Sequence, residues 1–192
     1  MLIVLCGIKN SLNFIANVQT DFVPFNTALA DHPTITGGVI VPIFLGTLDD
    51  LPDGCFRPVM KQVYEDICEA LNRMHNVGYI HCDVKAQNIF RSTSGRYCLG
   101  DYDGCCRVTT RVDLSTRIFW PKDLMNAEAA GLLKACPGVD YAMLACTLLY
   151  MLGEWTLTDG QQLALYEMRA KVLTLDAVSA SVITDCLKKV VY

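Results

Sequence analysis

Residues 78–104 read GYIHCDVKAQNIFRSTSGRYCLGDYDG, and this stretch carries the motif from which the fold of the chain is predicted. An aspartate lies two positions after a histidine, with a lysine two residues and an asparagine five residues beyond that aspartate. A second aspartate follows eighteen residues later, after a short apolar run. These residues are His81, Asp83, Lys85, Asn88 and Asp101. Each alone is a common turn or surface residue, but at these offsets between apolar segments they indicate one site.

The spacing H-x-D-x-K-x-x-N, followed by D-aromatic-x, resembles the eukaryotic protein kinase family. HCDVKAQN stands in place of the catalytic-loop pattern HRDLxxxN, and DYD stands in place of DFG. A lysine two residues after the aspartate is the Ser/Thr form of this loop. The resemblance implies an enzyme that transfers the γ-phosphate of Mg-ATP to a serine or threonine of a protein substrate. Such transfer needs a hydroxyl held in line and phosphate charge neutralised, with little covalent help from the protein.

By this resemblance the catalytic residues are Asp83, which would orient the hydroxyl and accept its proton, and Lys85, which would offset the phosphoryl charge. Asn88 and Asp101 would hold Mg²⁺, a hard ion that prefers oxygen ligands, and would thereby contact ATP. Two apolar residues are also expected in the cofactor-binding set. These are Phe90, just after the loop, and Ile43, in the stretch VIVPIFLG that would run into the hinge.

Composition is that of a globular protein with one sizeable core. The 192 residues are 52% apolar and 19% charged, and the net charge is −4 without a basic run, which argues against a nucleic-acid surface. Ten cysteines without a C-x-x-C pair predict reduced thiols and no zinc site. The longest apolar run, twelve residues from 141 to 152, is too short to span a bilayer and predicts a buried helix. We therefore expect a cytoplasmic or nuclear protein without a membrane partner.

The predicted fold is α+β and kinase-like, consisting mainly of the helical C-lobe with a truncated or degenerate N-lobe. Residues 1–46 would be the partial N-lobe and hinge, and residues 47–192 a C-lobe that ends before the last family helices. Predicted strands lie at Leu2–Leu5 and Val39–Ile43, with a short helix at Ser11–Val18 between them. In the resemblance, Val39–Gly46 would be one strand leading into the hinge.

Apolar residues at spacings of four and three predict an amphipathic helix from Pro58 to about Val77, just before the loop. A hairpin over residues 88–100 should follow the loop. The segment from Val139 to Leu152 resembles the central buried helix of the family, and its composition predicts Asp140 as the N-cap. By resemblance Asp140 also bonds the backbone of the catalytic loop. Two further helices are predicted at about 161–173 and 176–190.

Residues 101–122 would be the activation segment, where the chain departs from the family pattern. Asp103 stands where glycine is expected, and Cys82 replaces the arginine common before the catalytic aspartate. Lys122 replaces the acidic residue of the closing A-P-E. Without that arginine, order in the segment should not depend on phosphorylation of its hydroxyl residues. Those are Thr109, Thr110, Ser115 and Thr116.

Upstream, the sequence contains no G-x-G-x-x-G loop to cover the phosphates. Lys9 is the only lysine or arginine before Arg57, and the first glutamate is Glu65, already on the predicted helix. The expected lysine–glutamate pair is therefore missing. These absences favour a kinase fragment over a divergent kinase with little N-lobe, although both remain open.

Two other functions compete with the protein kinase. The first is a catalytically impaired pseudokinase that acts as a binding scaffold. The second is a small-molecule kinase of the aminoglycoside or choline phosphotransferase type, because those enzymes also carry H-x-D-x-x-x-x-N and the pair Asp101-x-Asp103 resembles theirs. Lys85, Pro121 and the apolar helix after it favour the protein kinase. The sequence does not indicate an oligomeric state.

Overall fold

The computed structural model describes residues 2–5, 21–24, 37–41, 44–112, 115–155 and 163–190. These residues form five helices and small antiparallel sheets, which agrees with the predicted α+β class. Among them, no helix combines the length and the apolar character needed to cross a bilayer.

The long helix before the loop, α1, runs over Met60–Asn76. Its buried face includes Val63, Ile67 and Leu71, at the four-residue spacing that predicted it. Two residues after the helix, Gly78 has a φ of 82°, in the left-handed region that glycine adopts without strain. The predicted helix is confirmed, except that Pro58 lies in the turn before its first residue.

The chain leaves α1 through the two-residue strand β5, Tyr79–Ile80, and reaches the loop. The predicted hairpin is confirmed as β6, Ile89–Ser92, antiparallel to β7, Tyr97–Leu99. A further short strand, β8 at Cys106–Arg107, returns to pair with β5. The loop is therefore held between two small antiparallel pairings.

Of the four strands that precede α1, the first three form a sheet of their own, with the third strand in the middle. They are β1 at Leu2–Leu5, β2 at Asp21–Pro24 and β3 at Gly37–Val41. A separate strand, β4 at Phe44–Thr47, pairs with β6. The single strand expected over Val39–Gly46 is therefore wrong, because residues 44–46 pair with the hairpin that follows the loop. The helix expected at Ser11–Val18 lies outside the described residues.

The central helix α3 spans Pro137–Met151 and is buried from Gly138 through Leu149. The predicted buried helix is confirmed, but Asp140 is not its N-cap. Cys136 occupies the N-cap and Pro137 the first position, where a missing amide hydrogen costs no hydrogen bond. Asp140 lies within the first turn and is fully buried, and its carboxylate faces the loop that begins at His81.

Three shorter helices complete the described chain: α2 at Lys122–Ala129, α4 at Leu165–Val172 and α5 at Ala177–Lys188. The last two correspond to the helices predicted near the end of the sequence. Asp176 caps α5 by accepting hydrogen bonds from the backbone amides of Val178 and Ser179. Helix α5 packs on both α1 and α3, which completes the core beneath the loop.

Candidate active site

His81 begins the loop as a fully buried side chain. Its Nδ1 accepts a hydrogen bond from the backbone amide of Asp83 at 3.3 Å, so the ring proton lies on Nε2, which donates to the carbonyl of Gly100 at 3.0 Å. Burial lowers the pKa of His81, which keeps the ring neutral. His81 therefore joins the loop to the residue immediately before Asp101.

Asp140 fixes the backbone at the start of the loop through hydrogen bonds. Its carboxylate accepts the backbone amides of His81 and Cys82, at 2.9 and 2.7 Å, and lies 2.8 Å from Nε2 of His75. Cys82 has a φ of 65°, a left-handed conformation that few non-glycine residues adopt. The contact expected by resemblance between Asp140 and the loop is present. These hydrogen bonds help to hold Cys82 in its unfavourable conformation.

The carboxylate of Asp83 lies at the centre of a compact cluster. Its Oδ2 receives hydrogen bonds from Nζ of Lys85 at 2.8 Å and from Nδ2 of Asn88 at 3.0 Å. Its Oδ1 receives the backbone amide of Thr116 at 2.7 Å. Nζ of Lys85 also donates to the hydroxyl of Thr116 at 2.7 Å. The structure thus brings together three predicted residues and one residue of the segment 101–122.

Burial acts to raise the pKa of Asp83, but hydrogen bonds from Lys85 and Thr116 outweigh it and lower the pKa below its usual range. The side chains of Asp83 and Lys85 are only 13% and 19% exposed. Their ion pair is therefore screened less than one on an open surface. At neutral pH Asp83 is a carboxylate that accepts hydrogen bonds from donors fixed around it.

Asn88 is buried, and its Nδ2 donates to both the backbone carbonyl and the carboxylate of Asp83. Because both amide hydrogens are used, its Oδ1 is the atom left to act as a ligand. Asp101 is exposed and has a φ of 60°. The amide of Gly100 donates to the carbonyl of Asn88 at 2.9 Å, which brings the loop close to the start of the activation segment.

An amide oxygen and a carboxylate are the kind of ligands that Mg²⁺ prefers, so this pair fits the expected ion. Among the described residues, no three histidine, cysteine, aspartate or glutamate side chains lie together as a metal site, so these side chains alone do not form a metal centre. The predicted magnesium site would therefore draw its remaining ligands from water and phosphate oxygens.

Phe90 lies at the start of β6, where it is half-buried and packs on Phe44 with 5.1 Å between ring centroids. The ring also closes on Gly100, since a Cβ added at that glycine would lie 2.8 Å from Cε2 of Phe90. Ile43, the other apolar residue expected at the nucleotide, lies outside the described residues. The nucleotide contacts of both residues stay predictions.

Thr116 is the residue of this cluster that the sequence analysis did not assign to the site. By residue type it resembles three other hydroxyl residues of the segment 101–122, yet its hydroxyl accepts a hydrogen bond from Lys85 and its amide donates one to Asp83. Its hydroxyl therefore has a structural partner. No signal in the sequence singles out Thr116, because Thr109, Thr110 and Ser115 offer the same kind of group nearby.

The end of the segment is anchored without an acidic residue at position 122. Trp120 is fully buried and donates from Nε1 to the hydroxyl of Ser115 at 2.7 Å. The next residue, Pro121, is buried and caps α2. Arg117 forms an ion pair with Glu128 on that helix. Packing and these contacts hold the segment, while the exposed Lys122 contributes its backbone amide to Leu163.

No known protein-family profile matches the chain. The chain is 29% identical over 132 residues to the serine/threonine-protein kinase ArnS of Sulfolobus acidocaldarius, covering 60% of this chain and 21% of that protein. It is 38% identical over 52 residues to the serine/threonine-protein kinase US3 of human herpesvirus 1, covering 27% and 11%. It is 30% identical over 95 residues to human serine/threonine-protein kinase MRCK gamma, covering 48% and 6%.

These matches support a kinase-related family. The chain spans about a fifth or less of the length of these relatives, at low identity.

Proposed function

We propose that this chain carries the C-lobe of a protein kinase, which transfers the γ-phosphate of Mg-ATP to a serine or threonine hydroxyl of a protein. The observation that carries the proposal is the position of Lys85, which bridges the carboxylate of Asp83 and the hydroxyl of Thr116. An ammonium held in this way would offset the charge of a phosphoryl group that moves between nucleotide and protein acceptor.

Asp83 would orient the acceptor hydroxyl. Its lowered pKa makes it a weak base, so early removal of the hydroxyl proton is unfavourable. In a loose phosphoryl-transfer reaction this is acceptable, because positioning and charge neutralisation lower the barrier more than deprotonation does. Asp83 would therefore hold the hydroxyl in line and take up its proton late.

Lys85 would stabilise negative charge on the transferred group, and Thr116 would act as a positioning residue for Lys85. A lysine side chain has several rotatable bonds, and fixing its ammonium before the reaction lowers the cost of reorganisation. The two hydrogen bonds to Asp83 and Thr116 provide that fixation.

Asn88 and Asp101 would hold Mg²⁺ through the amide oxygen and the carboxylate. Mg²⁺, when bound, neutralises charge on the phosphate oxygens. The bonds from Asn88 to Asp83 would link the metal ligand to the residue that orients the acceptor. Phe90 and Ile43 would contact the nucleotide.

A pseudokinase remains the second candidate because one specific observation favours it. The sequence has no glycine-rich loop, and its first glutamate, Glu65, ion-pairs with Lys61 along α1. A site with an intact loop and no such clamp could bind a partner without turning over ATP.

The test compares Asp83→Asn with Asp101→Asn, using Asp103→Asn as a matched control that removes a neighbouring exposed carboxylate. Calorimetry measures the affinity for ATP with and without Mg²⁺, and labelled ATP measures transfer to a generic protein acceptor and to small hydroxyl compounds. Asp83→Asn should reduce transfer by about 10²-fold or more while leaving affinity within about two-fold. Asp101→Asn should weaken Mg²⁺-dependent affinity by about 10-fold.

Equal loss of ATP affinity in both variants would contradict the separate roles. Transfer to small hydroxyl compounds, with none to protein, would favour a small-molecule kinase. Magnesium-dependent ATP binding without any transfer would favour the pseudokinase.

A further inference from the structure

Two cysteines face each other beside the loop. Cys82 lies directly before Asp83 and is fully buried, and Cys106 lies in β8, where it is half-buried. The pairing of β8 with β5 sets Cys106 opposite Ile80, two residues before Cys82. As a result the two Sγ atoms lie 3.4 Å apart. Neither thiol has a role in the proposed phosphoryl transfer.

We propose that Cys82 and Cys106 are a modification site, at which a hydroperoxide oxidant converts the two thiols to a disulfide. A disulfide needs sulfurs about 2.0 Å apart, so the gap must close by roughly 1.4 Å. The sulfurs already touch, so this is a local adjustment in a loop and a two-residue strand. The proposal is independent of the proposed activity, because it concerns only these thiols.

Cys105, next to Cys106 in the sequence, is the other thiol that could form a disulfide with Cys82. The geometry favours Cys106. Cys105 lies just before β8 in extended backbone, with φ −65° and ψ 134°, and successive side chains of extended backbone point to opposite sides. The structure places the sulfur of Cys106 in contact with that of Cys82. Burial also raises the pKa of Cys105, which reduces its thiolate fraction.

The chemistry proceeds in two balanced steps. The Cys106 thiolate attacks one oxygen of hydrogen peroxide, which breaks the O–O bond, forms a sulfenic acid and releases hydroxide. The sulfur of Cys82 then attacks the sulfur of Cys106, the S–O bond breaks, and the departing hydroxide takes the Cys82 proton as water. In total two thiols lose two electrons and two protons, and one peroxide becomes two waters.

The order of these steps follows from exposure. Cys106 is the more accessible thiol of the pair and would meet the oxidant first. Burial, with the nearby Asp140 carboxylate adding to it, raises the pKa of Cys82 well above its usual range, so Cys82 is a poor first nucleophile. Cys82 instead serves as the resolving thiol, because it reacts with a sulfur already in contact.

The bond would close a ring from residue 82 to residue 106. That ring contains Asp83, Lys85, Asn88 and Asp101. It would tie the catalytic loop to the strand that follows Asp101, at the position where the resembled family carries an arginine. Oxidation would therefore restrain the candidate site with a covalent bond that a dithiol can remove.

The test is peptide mapping of the native chain after treatment with hydrogen peroxide, acid quench and alkylation of the remaining thiols. Trypsin cuts after Arg73, Lys85, Arg96 and Arg107, so Cys82 falls in peptide 74–85 and Cys106 in peptide 97–107. We expect these two peptides to be cross-linked, and fragmentation to place the bond at Cys106. The cross-link should disappear on treatment with a dithiol.

Cys105→Ser and Cys98→Ser are the matched controls, because each removes another thiol of the same peptide and should keep the cross-link. Cys106→Ser should abolish it. A thermal melt of the wild-type chain adds a readout that needs no variant, and the oxidised form should melt at a higher temperature than the reduced form.

Three results would overturn the proposal. They are a bond from Cys82 to Cys105 or Cys98, a sulfinic acid at Cys106 with Cys82 still alkylated, and a cross-link that forms only after denaturation.

Discussion

At the scale of single residues, Thr116 shows how the site depends on a contact between distant parts of the chain. Its hydroxyl accepts from Lys85, and its backbone amide donates to Asp83, 33 residues earlier. Both catalytic candidates are thus set by a residue of the activation segment. A change in the conformation of that segment would therefore alter the hydrogen bonds around the Asp83 carboxylate.

Replacing Thr116 with alanine should raise the pKa of Asp83. Both the side chain and the backbone amide of Thr116 lower this pKa by hydrogen bonding. The variant removes the side-chain part, while burial still favours the neutral acid. Asp83 stabilises the folded state above its unfolded pKa and loses that contribution as the pH falls through its folded pKa. In Thr116→Ala this contribution should be smaller, and its loss should be complete at a higher pH.

Carbon-detected NMR titration of the Asp83 carboxyl measures the shift without requiring enzyme activity. Thr116→Ser keeps the hydroxyl and should restore the wild-type pKa, and Thr110→Ala, at an exposed hydroxyl that bonds the Arg107 carbonyl, should leave it unchanged. Lys85→Met should raise the pKa further than Thr116→Ala. An unchanged pKa in Thr116→Ala would show that the hydroxyl does not contribute.

Asp140 gives a second prediction at this scale. Asp140→Ala would leave the buried amides of His81 and Cys82 without their acceptor. The expected cost is about 2–4 kcal/mol of unfolding free energy, since an unsatisfied buried polar group loses about 1–3 kcal/mol. Asp140→Asn keeps one acceptor oxygen and should cost less. Urea denaturation measures both, and equal losses would contradict the hydrogen-bond explanation.

Local spacing in the sequence predicted only part of the site. The bonds among Asp83, Lys85 and Asn88 join residues within five positions, so a loop pattern carries most of the information. Thr116 and Asp140 lie 33 and 57 residues after Asp83 in the sequence, and only the fold brings them into contact with the loop. The resemblance supplied the contact of Asp140, whereas nothing in the local sequence distinguished Thr116 from its neighbours.

At the scale of helices and strands, the ends of a helix can be predicted where apolar residues recur clearly on one of its faces. Helix α1 has one apolar face, so its start and end follow from the pattern. Helix α3 is buried on nearly every side, so no period marks its first turn. Residue type alone therefore predicts Asp140 as the cap, although Cys136 and Pro137 begin the helix.

Leu71→Ala in α1 should destabilise the chain by about 2–5 kcal/mol, because Leu71 is fully buried and the lost methyl groups leave a cavity. Leu173→Ala is the matched control, since Leu173 is 86% exposed after α4. It should change the unfolding free energy by less than about 0.5 kcal/mol. Chemical denaturation measures both variants. Similar losses at the two sites would mean that α1 does not pack as the structure shows.

At the scale of the whole molecule, the strands before α1 follow two different pairings. Strands β1, β2 and β3 pair with one another, whereas β4 pairs with the hairpin after the loop. Sequence alone predicts one continuous strand across β3 and β4, because both are rich in apolar and β-branched residues. Strand propensity does not specify which strand each one pairs with. The division into an N-lobe at 1–46 and a C-lobe at 47–192 stays a prediction.

The last prediction concerns the 192-residue chain by itself, which we expect to bind Mg²⁺-ATP weakly and to be nearly inactive. It carries Asp83, Lys85, Asn88 and Asp101, but its sequence offers neither a glycine-rich loop nor a glutamate before α1 to pair with Lys9. Groups that preorganise charge act as a unit, and loss of one such donor costs about 10²–10³-fold in rate.

Calorimetry with Mg²⁺-ATP and transfer of labelled phosphate to a generic protein acceptor test this expectation. Mg²⁺-free ATP and Asp101→Asn serve as controls, because the residual affinity should depend on the metal. Tight binding with ordinary kinase turnover would contradict it. Residues 1–46 would then supply a phosphate clamp built without the usual glycine pattern, and Lys9, the only cation there, would be the first residue to replace with methionine.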